Sequence, residues 1–474
     1  MILEKLAEAG RFFLDVLFKR AESSRAKWTA GFLLASLFLG GLLYWGSFLD
    51  WTNNRFDIQD WHVHVGPYLD FLSKSLRSGQ FPMHADSPYM IPSQYLARQN
   101  RPLSPQIFLL YFLNPATYVL VNVWIFYGLS FWGMLLIRER YKLSFVSFLS
   151  MFLLFNLNGH IVAHMGSGHF EWVGYFLLPF YVFLVLKMVE GGQTGWQWLL
   201  SMSVVLLGIV LQGAAHFFIY CIAFLLLLGV FQPRYFSTVI KAIVLAGLAS
   251  MVRVLPPAIQ FAGGTGLKSL GGFESVKQMF EMLVFPSSRG YWEQTYFVGL
   301  LGFAFILYFG IIRNWTRNEA HHPLYLPAMT MVFFSVGAIY LPLFSSHIPF
   351  LDSQRAPTRF LIVPLVFFIT LAGIQFQSLL NEWDSKHWEK HVTFLFGEAL
   401  MAYDLLVNSR VWSLDNYSDS ARATDVIEVA VANYPDPTYT ATLIVGFTCT
   451  LITLGVLIFF AYRERKTTKP AANY

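Results

Sequence analysis

Long apolar runs separated by short polar segments make up most of the chain. A helix needs about 20 mostly apolar residues to cross the hydrocarbon core of a bilayer. Eleven runs approach this length, and a twelfth at 391–409 is weaker because Glu398 and Asp404 interrupt it. The eleven clear runs are 28–49, 116–137, 144–158, 170–187, 197–211, 215–231, 240–262, 295–312, 324–344, 360–379 and 441–462. The pattern predicts an all-α polytopic membrane protein with a bundle of about twelve transmembrane helices.

The N-terminal segment 1–27 has a different pattern, in which apolar residues at helical spacing stand opposite charged ones. The apolar positions are Leu3, Leu6, Phe13, Leu14 and Leu17. This pattern predicts an amphipathic helix on the cytoplasmic membrane interface, with a solvent-exposed helix as the alternative. Its six basic residues make the segment too charged for the start of a cleavable signal peptide. Residues 28–462 then form one transmembrane domain, and 463–474 a cytoplasmic tail.

Composition excludes the ordinary soluble and disordered classes of protein. Hydrophobic residues make up 55% of the 474 residues and charged residues only 13%, against about a quarter in soluble globular proteins. The formal net charge of +5 indicates topology and contact with membrane lipids, and no nucleic-acid partner is expected. The two cysteines, Cys221 and Cys449, lie in apolar runs, so neither a disulfide framework nor a cysteine metal cluster is expected.

The distribution of basic residues predicts the orientation of the chain. With twelve spans and a cytoplasmic N-terminus, 20 of the 33 basic residues fall on the cytoplasmic side and 12 on the outer side. The positive-inside rule favours this arrangement, because cytoplasmic loops carry the excess of Lys and Arg. Both termini are then cytoplasmic, and segments 50–103, 263–293 and 410–440 lie outside. The segment 50–103 is a long first outer loop.

Polar residues concentrate in four segments that this orientation places on the outer side, where they can form one site. The four segments are 50–103, 158–172, 287–293 and 352–360. In the last of them, Arg355 and Arg359 stand one helical turn apart at the mouth of a span. Such a pair can bind a phosphate, or it can reach toward lipid headgroups.

Short motifs follow one another in order between residues 57 and 380. They are Asp60-Trp61, Gly79-Gln80-Phe81-Pro82, Leu103-Ser104-Pro105, His164 with Gly168-His169, Arg253-Val254-Leu255-Pro256, Glu293-Gln294-Thr295-Tyr296 with Gly299, and Arg355-Ala356-Pro357-Thr358-Arg359-Phe360. Together with the long outer loop, they resemble the GT-C glycosyltransferase superfamily, and more closely a group of largely uncharacterised bacterial GT-C-like membrane proteins. The resemblance implies a GT-C-like bundle in a bacterial cytoplasmic membrane.

The resemblance also implies an activity, the inverting transfer of a sugar from a polyprenyl-phosphate donor to an acceptor at the outer membrane face. A carboxylate beside the acceptor hydroxyl acts as general base, and cations stabilise the lipid phosphate that leaves. Asp60 matches the position of the base, and Asp57 is its supporting residue. The substrate-binding candidates are His169, Arg253, Arg289, Glu293, Arg355 and Arg359.

Arg253 has two alternative roles, because it lies inside a predicted span. A cation at this depth needs a partner. The partner is either the donor phosphate or an acidic side chain such as Glu398 or Asp404. Pro256 and Pro257 favour the first alternative, because they break the helix and can open a cavity beside it.

The histidines raise the question of a metal. His160 and His164 are spaced i,i+4, as two zinc ligands on one helix would be. Glycines interrupt this stretch, so no metal ligand is assigned there. Gly168 permits close backbone approach, and His169 is therefore expected to hydrogen-bond substrate. A divalent metal held by carboxylates, as in some GT-C enzymes, stays an open alternative.

Two other functions stay open. Met83, His84 and Ala85 stand where the related proteins usually carry a tryptophan and glycines, which favours a non-catalytic GT-C-like subunit packed in a larger membrane complex. Glu398 and Asp404 in the weak span are compatible with the proton pathway of a transporter. The scarcity of acidic residues and the large outer loops favour the transferase over the transporter.

Overall fold

The computed structural model of the protein describes residues 2–87, 93–192, 194–262, 268–286, 292–346, 354–383, 388–418, 422–432 and 434–467. Within these ranges the fold is all-α apart from one two-stranded sheet. The helices are α1 (Ile2–Phe18), α2 (Ser24–Phe48), α3 (Gly66–Arg77), α4 (Pro115–Tyr141), α5 (Phe145–Leu157), α6 (Gly159–Ser167), α7 (Leu178–Val189), α8 (Trp196–Leu211), α9 (Ala215–Phe231), α10 (Pro233–Ala249), α11 (Met251–Gln260), α12 (Val276–Val284), α13 (Gly299–Phe305), α14 (Asn314–Arg317), α15 (His322–Phe334), α16 (Gly337–Ser345), α17 (Ile362–Asn381), α18 (Trp388–Trp412) and α19 (Pro437–Thr467). The strands β1 (His84–Asp86) and β2 (Ala430–Ala432) pair antiparallel.

Seven of the described helical segments are long and apolar enough to cross a membrane. They are Ser24–Phe48, Pro115–Tyr141, Phe145–Ser167, Phe170–Val189, Trp292–Arg317, Pro357–Asn381 and Pro437–Thr467. An eighth candidate is the pair α10 and α11, whose axes are bent by 80°. The prediction of a polytopic, helical membrane protein is therefore confirmed, whereas the number of twelve spans is not.

Three of the other predicted spans are shorter or interrupted, whereas the weak one, 391–409, lies in the continuous helix α18. Helices α8 and α9 are apolar but have only 16 and 17 residues. The predicted span 324–344 is divided into α15 and α16, because the backbone around Phe273 inserts at the break. There the amide of Phe273 donates to the carbonyl of Ser335 at 3.0 Å, and the amide of Gly337 donates to the carbonyl of Phe273 at 2.9 Å.

The N-terminal helix α1 packs against the bundle. It ends at Phe18, and the Ser23 side chain caps α2 by accepting a hydrogen bond from the amide of Ala26 at 3.2 Å. Leu17 and Phe18 are buried in a cluster with Val146 of α5. The apolar face predicted from the sequence is thus covered in part by protein.

Helices α5, α6 and α17 form the centre of the bundle, and their apolar residues are buried around the whole helix circumference. A helix that is hydrophobic on all sides is stable only when it is surrounded in this way. At the end of α6, the indole of Trp61 donates to the carbonyl of Met165 at 3.2 Å. This contact fastens the outer loop to the central helices.

The loop 50–103 lies at one end of the bundle, where a segment from near the C-terminus closes it. Strand β1 belongs to this loop and pairs with β2. Arg422 Nη1 lies 2.7 Å from Asp57 Oδ1, and His84 Nε2 lies 3.2 Å from Asp436 Oδ2. Two parts of the chain that are far apart in sequence therefore form one structure at this end.

A separate polar network joins helices at the opposite end. The Glu190 carboxylate accepts hydrogen bonds from Arg140 Nη2 at 2.5 Å and from Tyr141 Oη at 2.6 Å, and it lies 2.9 Å from His321 Nε2. Burial alone would raise the pKa of Glu190, but the hydrogen bonds from His321, Tyr141 and Arg140 lower it from 4.5 to about 2. Ionised Glu190 thus stabilises the junction between α4, α7 and the segment before α15.

We expect Glu190→Gln to lower the free energy of unfolding by about 1–3 kcal/mol at neutral pH, because charge-assisted hydrogen bonds are lost. The pKa of Glu190 is lower in the folded state, so its stabilisation is complete above about pH 4.5 and is lost as the pH falls toward 2. The difference between the wild type and the variant should therefore shrink in acid. Denaturant unfolding in detergent at several pH values measures it.

The matched control is Glu139→Gln. The side chain of Glu139 is 60% exposed, and its ion pairs with Arg20 and Arg138 lie at the surface. Surface pairs contribute about 0–1 kcal/mol. Equal effects of the two substitutions, or a Glu190→Gln effect independent of pH, would contradict the assignment.

Candidate active site

Asp60 stands where the outer loop turns into a short π-helical segment, Trp61–Val65. Just before it, Phe56 and Gln59 have positive φ angles of 51° and 41°, although neither is a glycine. Residues held in the left-handed region, like π-helical turns, are concentrated at functional sites. The local backbone therefore marks this part of the loop before any side chain is considered.

A glycine brings the end of α6 against this turn. Gly168 has φ of 96°, and a Cβ atom added to it would lie 2.2 Å from the backbone nitrogen of Trp61. Only glycine fits such a close approach together with this conformation. The next residue, His169, is thereby placed beside Asp60, and the two segments that the sequence analysis put on one side meet here.

Asp60, His169 and His164 form a continuous hydrogen-bonded chain. His169 Nε2 lies 2.9 Å from Asp60 Oδ2, and His169 Nδ1 lies 2.5 Å from His164 Nδ1. Burial raises the pKa of the Asp60 carboxyl, but the hydrogen bond and the charge of His169 outweigh burial and lower the pKa below its ordinary value. Asp60 is therefore ionised at neutral pH.

The tautomers along this chain depend on the charge of His169. When His169 is neutral, the ionised Asp60 accepts from its Nε2–H, and its Nδ1 accepts from Nδ1–H of His164. This leaves Nε2 of His164 as an acceptor, and it is buried with no hydrogen-bond partner among the described residues. The nearest acidic oxygen is Oε2 of Glu293 at 3.9 Å.

Glu293 and Arg359 form a partly buried ion pair next to this chain. The guanidinium donates to both carboxylate oxygens, with Nε of Arg359 at 2.7 Å from Oε2 of Glu293. The guanidinium carbon of Arg359 also lies 4.7 Å from the centre of the Trp172 ring, and His164 stacks on the same ring at 4.3 Å. Trp172 therefore contacts both the ion pair and the histidines and helps to hold both in position.

These elements border a cavity of about 620 Å³. Its lining residues come from the outer loop, the end of α6, the start of α9, the end of α11 and the segment before α17. They are Asp60, His64, Val65, Tyr68, Arg98, Gln99, Asn100, Arg101, Gly168, His169, Glu171, His216, Phe261, Arg355 and Arg359. The volume is sufficient for a small polar ligand or the headgroup of a larger one.

Four of the residues predicted from the sequence line this cavity, namely Asp60, His169, Arg355 and Arg359. Glu293 is not part of the lining but contacts it through Arg359. The structure thus brings five of the eight candidates together from segments that are far apart in the chain.

Asp57 does not line the cavity. Its carboxylate is bonded to Arg422 at 2.7 Å and lies 3.7 Å from Arg55, and its carbonyl accepts from the amide of Ala423 at 2.6 Å. Its contacts therefore fasten the outer loop to the segment 422–432. Arg289, the other remaining outer candidate, lies outside the described residues.

Arg253 is neither on the cavity wall nor paired with a described carboxylate, so its observed partners differ from both that were expected. Its side chain is 1% exposed, and its guanidinium donates to backbone carbonyls of the outer loop. The acceptors are Leu96 at 2.8 Å, Arg98 at 2.8 Å, Gln99 at 3.3 Å and Arg101 at 2.7 Å. Glu398, its expected partner, is instead hydrogen-bonded to Ser150.

Sequence reasoning missed several lining residues, namely His64, Tyr68, Arg98, Arg101, Glu171 and His216. A signal existed for two of them, since Arg98 and Arg101 directly precede the Leu103-Ser104-Pro105 motif in the most polar loop. Of the others, His64 and Tyr68 also lie in the outer loop and Glu171 in the polar segment 158–172, but the sequence does not show which residues of these segments face a cavity. His216 stands at the start of an apolar run, where nothing distinguishes a cavity wall from a packed core.

Three side chains could in principle hold a metal ion, because ligand atoms of His164, His169 and Glu293 lie within 4.8 Å of one another. Most of these atoms are already engaged, although Nε2 of His164 has no hydrogen-bond partner within the described ranges. Both ring nitrogens of His169 are hydrogen-bonded, and both oxygens of Glu293 accept from Arg359. A cation would also be repelled by the guanidinium. The donor set therefore does not fit a resident metal ion, and no step below uses one.

Comparisons with family profiles, with curated proteins and with solved structures found no match for this chain.

We expect Arg253→Lys to destabilise the protein by about 1–3 kcal/mol, because one ammonium cannot reach all the carbonyls that the planar guanidinium binds. The loosened loop 96–101 should also become more sensitive to limited proteolysis. Thermal unfolding and digestion of the full chain in detergent measure the two effects.

The matched control is Arg234→Lys, at an exposed position near the start of α10, which should change neither measurement. Recovery of stability on adding Glu398→Gln or Asp404→Asn to an Arg253→Ala variant would contradict the carbonyl contacts and support the ion-pair hypothesis.

Proposed function

We propose that this protein is an integral-membrane glycosyltransferase that transfers a sugar, with inversion, from a polyprenyl-phosphate donor to an acceptor hydroxyl. The observation that carries the proposal is Asp60, a carboxylate whose side chain is 32% exposed on a cavity that arginines also line. The reaction needs a base at the acceptor and positive charge at the leaving phosphate. One cavity that supplies both is the arrangement expected for such an enzyme.

The reaction balances with these groups. The acceptor oxygen attacks the anomeric carbon from the side opposite the phosphate, and its proton passes to Asp60. The bond between the anomeric carbon and the phosphate oxygen breaks, and its electron pair leaves with the lipid phosphate. Because a phosphate is a good leaving group, its departure needs nearby cations and no proton donor.

His169 acts as a positioning residue in this scheme. Its hydrogen bond fixes the orientation of the Asp60 carboxylate and lowers its pKa, so that the base is ionised before the acceptor arrives. His164 fixes the tautomer of His169 in turn. Arg359 is already neutralised by Glu293, which leaves Arg355 and the arginines of the outer loop as the cations available to the leaving group.

The proposed topology has twelve crossings of a bacterial cytoplasmic membrane, with the cavity at the outer face and both termini in the cytoplasm. Contacts between distant segments support it. Asp57 and Arg422, both assigned to the outer side by charge, are in contact, as are Arg140 and Glu190 at the opposite end. The polar segments thus assemble at the two ends as the partition of basic residues predicts.

Cysteine labelling tests this topology. A membrane-impermeant maleimide added from outside should modify a cysteine introduced at Ser418 but not one introduced at Thr467, which lies at the end of α19. The protein without an introduced cysteine gives the background from Cys221 and Cys449. Labelling at both introduced positions would contradict the even number of crossings.

We expect Asp60→Asn to reduce sugar transfer by about 10²–10⁴-fold, because the acceptor loses its general base. Folding and donor binding should be nearly unchanged, since the amide preserves the shape of the side chain. Single-turnover transfer from a radiolabelled polyprenyl-phosphate sugar, with donor binding measured separately, checks both expectations.

Two further substitutions make this test specific. Asp70→Asn removes a carboxylate of α3 that pairs with Lys74 at the surface, and it should leave transfer unchanged. Asp57→Asn should lower stability through loss of the contact with Arg422, with a smaller effect on transfer than Asp60→Asn. Wild-type transfer by Asp60→Asn would refute the proposed chemistry.

The alternative, a non-catalytic subunit of a larger membrane complex, is favoured by one observation. His84, in the stretch that departs from the related proteins, is 3% exposed and is bonded to Asp436, so this stretch fastens β1 to the C-terminal segment instead of lining the cavity. A stoichiometric partner on mild purification, together with no sugar transfer by the wild type, would support this alternative.

A further inference from the structure

One wall of the cavity carries side chains that the proposed reaction does not use as base or as positioning residues. We call it the donor wall, and it consists of His64, Tyr68, Arg98 and Arg101. The polar groups of the donor wall are an imidazole, a phenol and two guanidinium groups. The wall therefore offers mainly hydrogen-bond donors, and an unprotonated imidazole nitrogen is the exception.

Arg101 is the central residue of the donor wall. It is 2% exposed, and its Nε and Nη1 atoms are buried without a hydrogen-bond partner among the described residues. Its guanidinium carbon lies 5.1 Å from the centre of the Tyr68 ring, and the Tyr68 hydroxyl is likewise buried and unpartnered in the part of the chain that the structure describes. A buried cation and a buried hydroxyl without acceptors are costly, and natural proteins rarely keep them without a reason.

The backbone holds Arg101 rigidly in this costly position. Its carbonyl accepts from Arg253 Nη2 at 2.7 Å. On the other side, Gly213 has φ of 81°, and a Cβ atom added there would lie 3.2 Å from the carbonyl carbon of Arg101. The amide of Leu103 donates to the carbonyl of Leu211 at 2.8 Å. The junction of α8 and α9 and the bend before α11 therefore fix the same short loop.

The charges around the wall leave it positive. Burial lowers the pKa of Arg98, and the charge of Arg101 lowers it further. Burial also lowers the pKa of His64. The charge of Asp60 raises this pKa, and the charge of Arg101 lowers it. Both shifts have the sign expected where like charges face one another with too few anions between them. The other charged groups that line the cavity are Asp60, Glu171, Arg355 and Arg359.

We propose that Arg101, together with the Tyr68 hydroxyl and Arg98, forms a binding site for the phosphoryl group of a ligand in the cavity. A phosphoryl group has several acceptor oxygens and a negative charge, so it satisfies the fork of a guanidinium and a neighbouring hydroxyl at once. A metal cation would be repelled by the same wall. The site differs from the Arg355 and Arg359 pair that the sequence suggested, because Arg359 already has a carboxylate partner.

The ligand can come from two sources with the same chemistry, a lipid phosphate or a free phosphate. The lipid source rests on the proposed function, in which the donor wall holds the leaving group beside Asp60. The anion site itself requires only the unpartnered donors, so it can be tested without any transfer reaction.

Binding of two probes to the full chain in detergent distinguishes the sources. The probes are a polyprenyl monophosphate and inorganic phosphate, each titrated by calorimetry. We expect Arg101→Gln to weaken binding of the probe by about tenfold to a hundredfold, and Arg101→Lys and Tyr68→Phe by about threefold to thirtyfold. The control Arg77→Gln removes an exposed cation of α3 outside the cavity lining and should bind as the wild type does.

Each outcome decides a separate point. Tight binding of the lipid probe alone identifies a lipid phosphate as the ligand, and similar binding of both probes identifies a free phosphate. Either result supports the proposed site if the Arg101 variants bind the probe more weakly than the wild type. If Arg101→Gln does not fold, Arg101→Lys and Tyr68→Phe decide in its place. Binding by folded Arg101 and Tyr68 variants at the wild-type level, or no binding of either probe by the wild type, overturns the proposal.

Failure of this proposal is distinct from failure of the proposed function. Loss of phosphate binding in Arg101→Gln, with wild-type transfer in Asp60→Asn, would retain the anion site and refute the transferase chemistry. Wild-type phosphate binding in folded Arg101→Gln, with lost transfer in Asp60→Asn, would refute the anion site and retain the transferase chemistry.

Discussion

The guanidinium of Arg253 is buried at the 80° bend between α10 and α11, and backbone carbonyls of residues 96–101 accept its hydrogen bonds. A buried cation without a carboxylate partner depends on all of these acceptors together, because loss of any one leaves charge poorly solvated. The bend and the loop therefore hold each other in place. The position of Arg101, and with it one wall of the cavity, follows from this single interaction.

The remaining charges of the cavity form two neighbouring groups, and Trp172 contacts both. His164 stacks on the indole and is linked through His169 to Asp60, and the Arg359 guanidinium, paired with Glu293, lies against the same ring. The two groups are adjacent, because His164 Nε2 lies 3.9 Å from Glu293 Oε2. A ligand that enters meets a carboxylate already aligned and cations not yet neutralised, which is the preorganisation that electrostatic catalysis requires.

The sequence predicted the helical class and part of the site, for identifiable reasons. Apolar runs locate helices well, but helices facing lipid and helices buried in protein have the same apolar composition. A run such as 324–344 therefore does not show where its helix is interrupted. Asp60 and His169 were found together because the charge partition put their segments on one side. The contacts of Asp57 and Arg253 were not predicted, because their partners lie 365 and up to 157 residues away, where no spacing rule applies.

The closure of the outer loop by a distant segment has a consequence for biosynthesis. Asp57 precedes its partner Arg422 by 365 residues, and a ribosome adding about 5–20 residues per second needs about 20–70 s to cover that distance. Throughout this interval the loop has emerged while β1 has an unpaired edge and Asp57 has no cation from the C-terminal segment. A chain terminated before residue 430 lacks β2 and therefore keeps that edge of β1 unpaired.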